Sequence, residues 1–135
     1  MIHETYTFSK LHTYIIHEPK ERKIDIPPFY PDRIYQHIAM DMFKDTFIKS
    51  LIKQTYSSIK GRGLHMCIDK VKEIRDKYPD YYYISIDIKK YFESVDLDIL
   101  IQNLHHLQLD AKLLAMLIKS LRQHPKGLAI GCYTS

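Results

Sequence analysis

Asp87 is the residue whose type and position most directly suggest chemistry. It stands near the end of a stretch, Tyr82–Ile88, in which every second residue is apolar, and this alternation predicts a strand with one apolar face. The other face would present the Asp87 carboxylate just ahead of the lysines and aromatic rings of Lys89–Phe92. A carboxylate placed there suits phosphoryl transfer on a divalent metal. Taken alone, these residues favour a simpler interpretation, a turn in which Asp87 accepts a backbone N–H, because one carboxylate is weak evidence for a metal site.

Length and composition set the broad class of the protein. The chain has 135 residues, 45% hydrophobic and 27% charged, which is ordinary for one soluble globular domain. Its apolar runs are too short to cross a bilayer, and the first ten residues, MIHETYTFSK, lack the apolar segment of a signal peptide. We therefore expect a cytoplasmic protein with no membrane partner, whose two cysteines are reduced.

The charge distribution allows an anionic partner. The net charge is +4 and the isoelectric point is near 8.9. The cations cluster at Lys20, Arg22 and Lys23, at Lys60 and Arg62 around Gly61, and at Lys89 and Lys90. Eleven tyrosines add flat rings that can stack on bases, although tyrosine is equally a good strand residue. These features favour nucleic acid without requiring it.

The first half of the chain predicts a hairpin followed by two helices. Residues 12–26 read as a hairpin, because Tyr14–Ile16 and Ile24–Ile26 are strand-like and flank a polar turn at 18–21. Asp32 is placed as the N-cap of a long helix, with Gln36 near the capping-box position. Apolar residues then recur at helical spacing and predict a core-facing stripe: Ile34, Ile38, Met42, Phe43, Phe47 and Leu51. A second amphipathic helix is expected from Leu64 to Ile74, and the Gly-flanked Arg62 before it is a candidate anion site.

The second half predicts helices after the central strand. Ser94 or Asp96 can cap one helix, and Asp110 can cap the next. Both carry apolar stripes that predict burial. The sequence then breaks at His124–Gly127 and ends in an apolar stretch that contains Gly131.

Four separated blocks, taken in order, resemble one family. They are RKIDIPPFYPDRIYQH, KGRGLH, YISIDIKKYFESVD and GLAIGCYTS. Together they resemble the first blocks of bacterial reverse transcriptases of the group II intron and diversity-generating retroelement kind. The resemblance runs from about Ile16 to Ser135, and the closing IGxxxS is more similar to the diversity-generating branch.

The resemblance implies a fold and a catalytic residue. The expected fold class is α+β, the fingers and partial palm of a right-hand polymerase, with helices packed on a small antiparallel sheet. Residues 1–80 would be the fingers region and residues 81–135 the partial palm. Asp87 would be the first catalytic aspartate and would bind both Mg²⁺ ions of a two-metal site, with the carbonyl of Ile88 as a further ligand. Phe92 falls at the steric-gate position, where its ring would exclude a ribose 2′-hydroxyl.

The resemblance also implies contacts with substrate. Lys60 and Arg62 lie in the block that meets template or the incoming nucleotide. The residues expected to touch nucleic acid are Arg22, Lys23, Arg33, Gln36 and Gly131, the last because a side chain would not fit beside the templating base pair. The expected partners are an RNA template, a DNA primer and a dNTP.

One departure from the family limits what we expect of this chain. The second carboxylate pair, in a YxDD-type hairpin, does not occur in the sequence, and neither does the thumb. The metal site would then be incomplete, so we expect a polymerase fragment that does not polymerise by itself. The alternative hypothesis is a non-catalytic RNA-binding or dimerising module of a retroelement protein, which would form a homodimer through its exposed palm surface.

Overall fold

Two compact units make up the part of the chain that the structure describes. The computed structural model describes residues 6–17 and 19–135. Its described residues up to 44, together with 89–135, form the first unit, and residues 45–88 form the second. Helices and a small antiparallel sheet are both present, so the α+β class is confirmed. Within the described residues, no helix has the length and apolarity needed to cross a membrane.

The predicted hairpin of the first unit is confirmed. Strand β1, His12–Ile16, pairs antiparallel with strand β2, Arg22–Ile26, and the pairing closes with Ile16 opposite Arg22. Of the predicted turn, Glu18 lies outside the described residues. Two strand-like segments were enough to predict this element, because the short polar connection between them leaves antiparallel pairing as the simplest arrangement.

The long helix forms, but Asp32 does not cap it. A short π-helical segment, Phe29–Arg33, leads into helix α1, Ile34–Ser50. The π-helical segment begins after Pro28 and has no side-chain cap at its start. Asp32 lies within this segment and is fully buried. The prediction of an Asp32 N-cap is therefore wrong. The prolines before it hold the chain in a tight entry turn, which moves the start of the helical hydrogen bonding upstream of the acid.

The buried face of α1 also differs from the predicted stripe. Of that stripe, Phe43 is buried as predicted and Phe47 is half-buried, but Ile34, Ile38, Met42 and Leu51 are exposed. Gln36 and Ala39, which lie outside the stripe, are the other buried residues of the helix. Spacing alone placed the more apolar face inward. The face that is buried carries a glutamine whose amide finds hydrogen-bond partners, so its burial costs little.

Three helices complete the first unit. They are α3, Tyr91–Ser94, α4, Leu97–His105, and α5, Ala111–Leu121. The carboxylates of Asp96 and Asp110 accept two backbone N–H groups each at the starts of α4 and α5, which confirms Asp96 and Asp110 as N-caps. The buried apolar residues of this unit are Ala39, Phe43, Leu104, Leu114, Leu117, Leu121, Leu128 and Ala129.

The second unit is far less buried. Its helix α2, Leu64–Lys77, confirms the second predicted helix, but none of its residues is buried, Leu64, Val71 and Ile74 included. The predicted strand at Tyr82–Ile88 is not present. Residues 81–88 have no regular secondary structure and all are exposed. A strand needs a neighbouring strand to accept its N–H and C=O groups, and the described residues supply none here, so alternation alone overpredicted the element.

Candidate functional site

Asp87 and Ile88, the predicted metal ligands, lie in the exposed segment 81–88 of the second unit. Their carboxylate and carbonyl oxygens are the hard donors that Mg²⁺ prefers, and Mg²⁺ commonly takes one or two carboxylates with water and substrate phosphates making up its six ligands. The Asp87 carboxylate and the Ile88 carbonyl are enough protein ligands for one such Mg²⁺ ion, but too few for two ions. Within residues 6–17 and 19–135, no group of three or more His, Cys, Asp or Glu side chains could hold a metal ion.

The side chain of Arg62 is hydrogen-bonded to the backbone of the loop that follows α1. Its Nη1 atom donates to the backbone carbonyls of Ile52, Lys53 and Thr55 at 3.3, 3.5 and 3.3 Å. The guanidinium thus satisfies three carbonyls of the loop that follows α1. Lys60 is exposed beside it. Because one guanidinium nitrogen is committed to the loop, an anion at this position would be met by the rest of Arg62, by Lys60 and by the uncapped first turn of α2.

Phe92 is half-buried in the first unit, where a glycine segment fixes its backbone. Its ring lies edge-on to that of Tyr91, with 5.4 Å between the centroids. Its carbonyl accepts the N–H of Leu128 at 2.7 Å. Gly127 has a φ of +65°, and a Cβ there would overlap the Phe92 carbonyl. The family resemblance singled out Phe92, but sequence reasoning missed that Gly127 sets its position.

An open pocket of about 520 Å³ is lined by residues around α3 and by Pro125–Gly127. Its charges are mixed. Lys90 and Lys126 lie with Glu93 and Asp96, and the Nζ of Lys90 is 3.5 Å from Glu93. The Asp96 carboxylate is occupied as a helix cap. This balance of charges favours neither an anionic nor a cationic ligand.

The basic residues assigned to template contact lie in the first unit. Arg22 and Lys23 are exposed at the start of β2, next to the hairpin turn. The Nζ of Lys23 lies 3.9 Å from the carboxylate of the buried Asp25, which is a long ion pair that leaves the lysine side chain exposed. Arg33 is half-buried at the end of the π-helical segment. The hairpin therefore presents two cations that remain available to a phosphate backbone.

Gln36 occupies a different environment from these cations. It is only 1% exposed, and its Nε2 donates to the hydroxyl of Ser120 at 3.0 Å and to Gln123 at 3.3 Å. Its Oε1 accepts the backbone N–H of Tyr133 at 3.0 Å. The side chain thus ties α1 to α5 and to the last residues of the chain. Both polar atoms of the Gln36 side chain are therefore hydrogen-bonded within the protein.

Gly131 is required by a close approach inside the protein. Its φ is +114°, and a Cβ there would lie 2.6 Å from Cγ2 of Ile24 and 3.1 Å from the carbonyl oxygen of Asp25. The neighbouring carbonyl of Ile130 accepts the N–H of Asp25 at 2.8 Å. The segment thus lies directly against β2. Contact with β2 accounts for the glycine, whatever else it touches.

A buried carboxylate network surrounds Asp32. Its oxygens accept the hydroxyl of Tyr6, the backbone N–H of Ser9 at 2.8 Å and, at a longer 3.5 Å, the amide of Gln123. Burial, and then the hydrogen bond with Asp32, raise the pKa of Tyr6. Since Gln123 also bonds Gln36, the two networks are continuous. They join the amino-terminal segment, α1 and α5.

Asp25 gathers a second polar cluster on β2. Its carboxylate accepts the hydroxyl of Thr13 at 2.6 Å and lies 3.2 Å from Nε2 of His124. His124 Nδ1 is 2.6 Å from the carbonyl of Lys126. The thiol of Cys132 lies 3.8 Å from the backbone carbonyl of Asp25. Hairpin pairing sets Thr13 opposite Asp25, but the sequence gave no signal of His124 and Cys132, which reach Asp25 from distant parts of the chain.

Cys132 provides a pH-dependent prediction. Burial raises the pKa of its thiol. The protonated thiol therefore contributes fully to the free energy of unfolding at pH values below the thiol pKa of the unfolded chain, about 8.5. This contribution is lost as the pH rises through the higher thiol pKa of the folded chain. In a Cys67→Ser variant at pH 8.5, we expect iodoacetamide to alkylate Cys132 more slowly in the folded chain than in urea. Equal rates would show that the thiol is not shielded.

The chain matches no protein-family model and no curated protein sequence. The candidate functional features are an exposed acid at Asp87 in the second unit and, separately, an exposed basic hairpin and buried polar networks in the first unit.

Proposed function

We propose that this chain is the fingers and first part of the palm of an RNA-directed DNA polymerase, a reverse transcriptase of a bacterial retroelement. Its role would be to bind an RNA template with a DNA primer and a dNTP. The support is the order of the four sequence blocks together with one structural observation, the exposed cations Arg22 and Lys23 at the start of β2, next to the hairpin turn. An exposed cationic strand end suits a phosphate backbone.

The proposed chemistry centres on Asp87. When bound, Mg²⁺ would activate a primer 3′-hydroxyl and neutralise the pyrophosphate that leaves. The protein's part would be to offer the Asp87 carboxylate and the Ile88 carbonyl. By the family resemblance, the Phe92 ring would exclude a ribose 2′-hydroxyl. Because one carboxylate does not complete a two-metal site, the proposal holds that this chain alone does not extend a primer.

Binding to an RNA–DNA hybrid tests the proposal. Changing both Arg22 and Lys23 to Gln removes two phosphate contacts, so we expect the affinity to fall about tenfold and the salt dependence, the slope of log K against log salt, to become shallower by about 2. Fluorescence anisotropy of a labelled hybrid across a salt series measures both. The matched control changes Lys44 and Lys49, exposed on α1, to Gln with the same loss of charge. Equal losses in both variants would mean that only net charge matters and would contradict a hairpin site.

A different observation favours the alternative function, a non-catalytic self-associating module. It is the exposure of the whole segment 81–88, where Tyr81 stacks on Tyr78 and the other apolar side chains face water.

A further inference from the structure

The segment 81–88 exposes more apolar surface than a single folded chain usually leaves in water. Tyr82 is 99% exposed, Ile84 85% and Ile86 84%. These are neighbouring residues of one segment, so their exposure is contiguous and not scattered. Contiguous exposed apolar residues in a segment without regular secondary structure mark a surface that another element covers.

The composition of this segment is suited to a strand. All eight residues except Ser85 and Asp87 are tyrosine or isoleucine, types that favour β-structure, and none is glycine or proline. Eight residues in extended form reach about 27 Å, longer than an ordinary strand. What the segment lacks is a neighbouring strand to pair with.

We propose that a second copy of this chain supplies that strand, by antiparallel pairing of residues 81–88 with themselves. The charges on either side of the segment support this choice. Asp80 precedes it, and Lys89 and Lys90 follow it. Antiparallel pairing brings the Asp80 of each copy near Lys89 of the other, whereas Lys90 begins a left-handed turn with a φ of +53° and lies 3.5 Å from Glu93. Parallel pairing in register would place Asp87 against Asp87 and lysine against lysine, which is destabilising.

The apolar pattern then selects one register, centred on Ser85. With Ser85 opposite itself, Ile84 faces Ile86 and Tyr82 faces Ile88, so every apolar residue of that face meets another. Moving the centre to Ile84 would place Ile88 opposite Asp80. Moving it to Ile86 would place Tyr82 opposite Lys90. Only the register centred on Ser85 satisfies both the apolar face and the charged ends.

This inference deepens the alternative function, self-association, and does not rest on the polymerase proposal. Self-pairing needs neither nucleic acid nor metal, so it is measured without them. Failure of the hybrid-binding test leaves it standing, and its own failure leaves hybrid binding standing.

The mass of the intact chain in solution is the first test. Light scattering coupled to size exclusion is expected to give twice the 16.1 kDa of one chain. Changing Ile84 and Ile86 to Lys sets lysines opposite one another, and should raise the dissociation constant about tenfold or more. Both positions are exposed, so the single chain should keep its circular dichroism. The matched control places lysines at Ile74 and Ile99, which are also exposed. A single-chain mass for the unchanged protein, or equal weakening by the control, overturns the proposal.

The orientation and the register have their own tests. Asp80→Lys should weaken the dimer, and adding Lys89→Asp with Lys90→Asp should restore it. In a chain whose two native cysteines are Ser, Ser85→Cys should form a disulfide dimer on mild oxidation, because opposed residues are neighbours. Tyr83→Cys, which would face Asp87, should not. No restoration by charge exchange, or cross-linking as fast at position 83 as at 85, contradicts antiparallel pairing about Ser85.

Discussion

Replacing Asp32 by Ala is expected to lower the free energy of unfolding by about 3 kcal/mol, because it leaves buried donors without an acceptor. The carboxylate is fully buried and accepts the Tyr6 hydroxyl and the Ser9 N–H. Both donors are attached to the amino-terminal segment, so the variant should also loosen that segment. Urea unfolding followed by circular dichroism measures the stability, and amide hydrogen exchange at Ser9 measures the local effect.

Two further variants separate the network from the loss of a charge. Asp32→Asn keeps one carbonyl oxygen for Ser9 and an amide that can donate to the Tyr6 oxygen, so we expect roughly half of the loss. Asp41→Ala removes an exposed acid on α1 and should change stability by less than about 0.5 kcal/mol. Equal effects of Asp32→Ala and Asp41→Ala would show that the buried network contributes nothing.

Gly131→Ala is the second change expected to have a large effect, again about 3 kcal/mol. A φ of +114° is strained for any L residue, and the added methyl would press on Ile24 and on the Asp25 carbonyl of β2. The 2.8 Å hydrogen bond from Asp25 to Ile130 would lengthen as the two segments separate. Thermal or urea unfolding measures the loss.

The glycines of the second unit provide the controls for this prediction. Gly61 has a φ of +79° but open space around it, so Gly61→Ala should show the cost of strain alone, about 1 kcal/mol. Gly63 is extended, with open space as well, and Gly63→Ala should be nearly neutral. If Gly131→Ala costs no more than Gly61→Ala, the close approach to β2 does not hold in solution.

The elements that sequence predicted well are those whose signal is local. The hairpin around residues 12–26 and the caps Asp96 and Asp110 follow from alternation and from side chains that bond their own neighbours. None of these needs knowledge of the rest of the chain. The predicted strand at 82–88 failed for the opposite reason, since a strand exists only if another part of the structure pairs with it.

The polar interior was beyond prediction from pattern alone. Asp32 and Gln36 resemble a helix cap and its partner, and both are instead buried among residues near positions 6–9 and 120–133. Such networks depend on partners 23 to 97 residues away, for which spacing gives no signal. The roles given to Asp87, Arg62 and Phe92 came from the family resemblance and stay predictions.

The central claim, that Asp87 holds a divalent metal for nucleotide chemistry, is tested most directly by Mn²⁺ added to the ¹⁵N-labelled chain with an RNA–DNA hybrid and a dNTP. Mn²⁺ replaces Mg²⁺ at oxygen sites and broadens nearby amide signals. We predict that residues 85–90 broaden first, that Asp87→Asn abolishes this, and that Asp80→Asn does not. Broadening centred elsewhere, or unchanged by Asp87→Asn, would contradict the account.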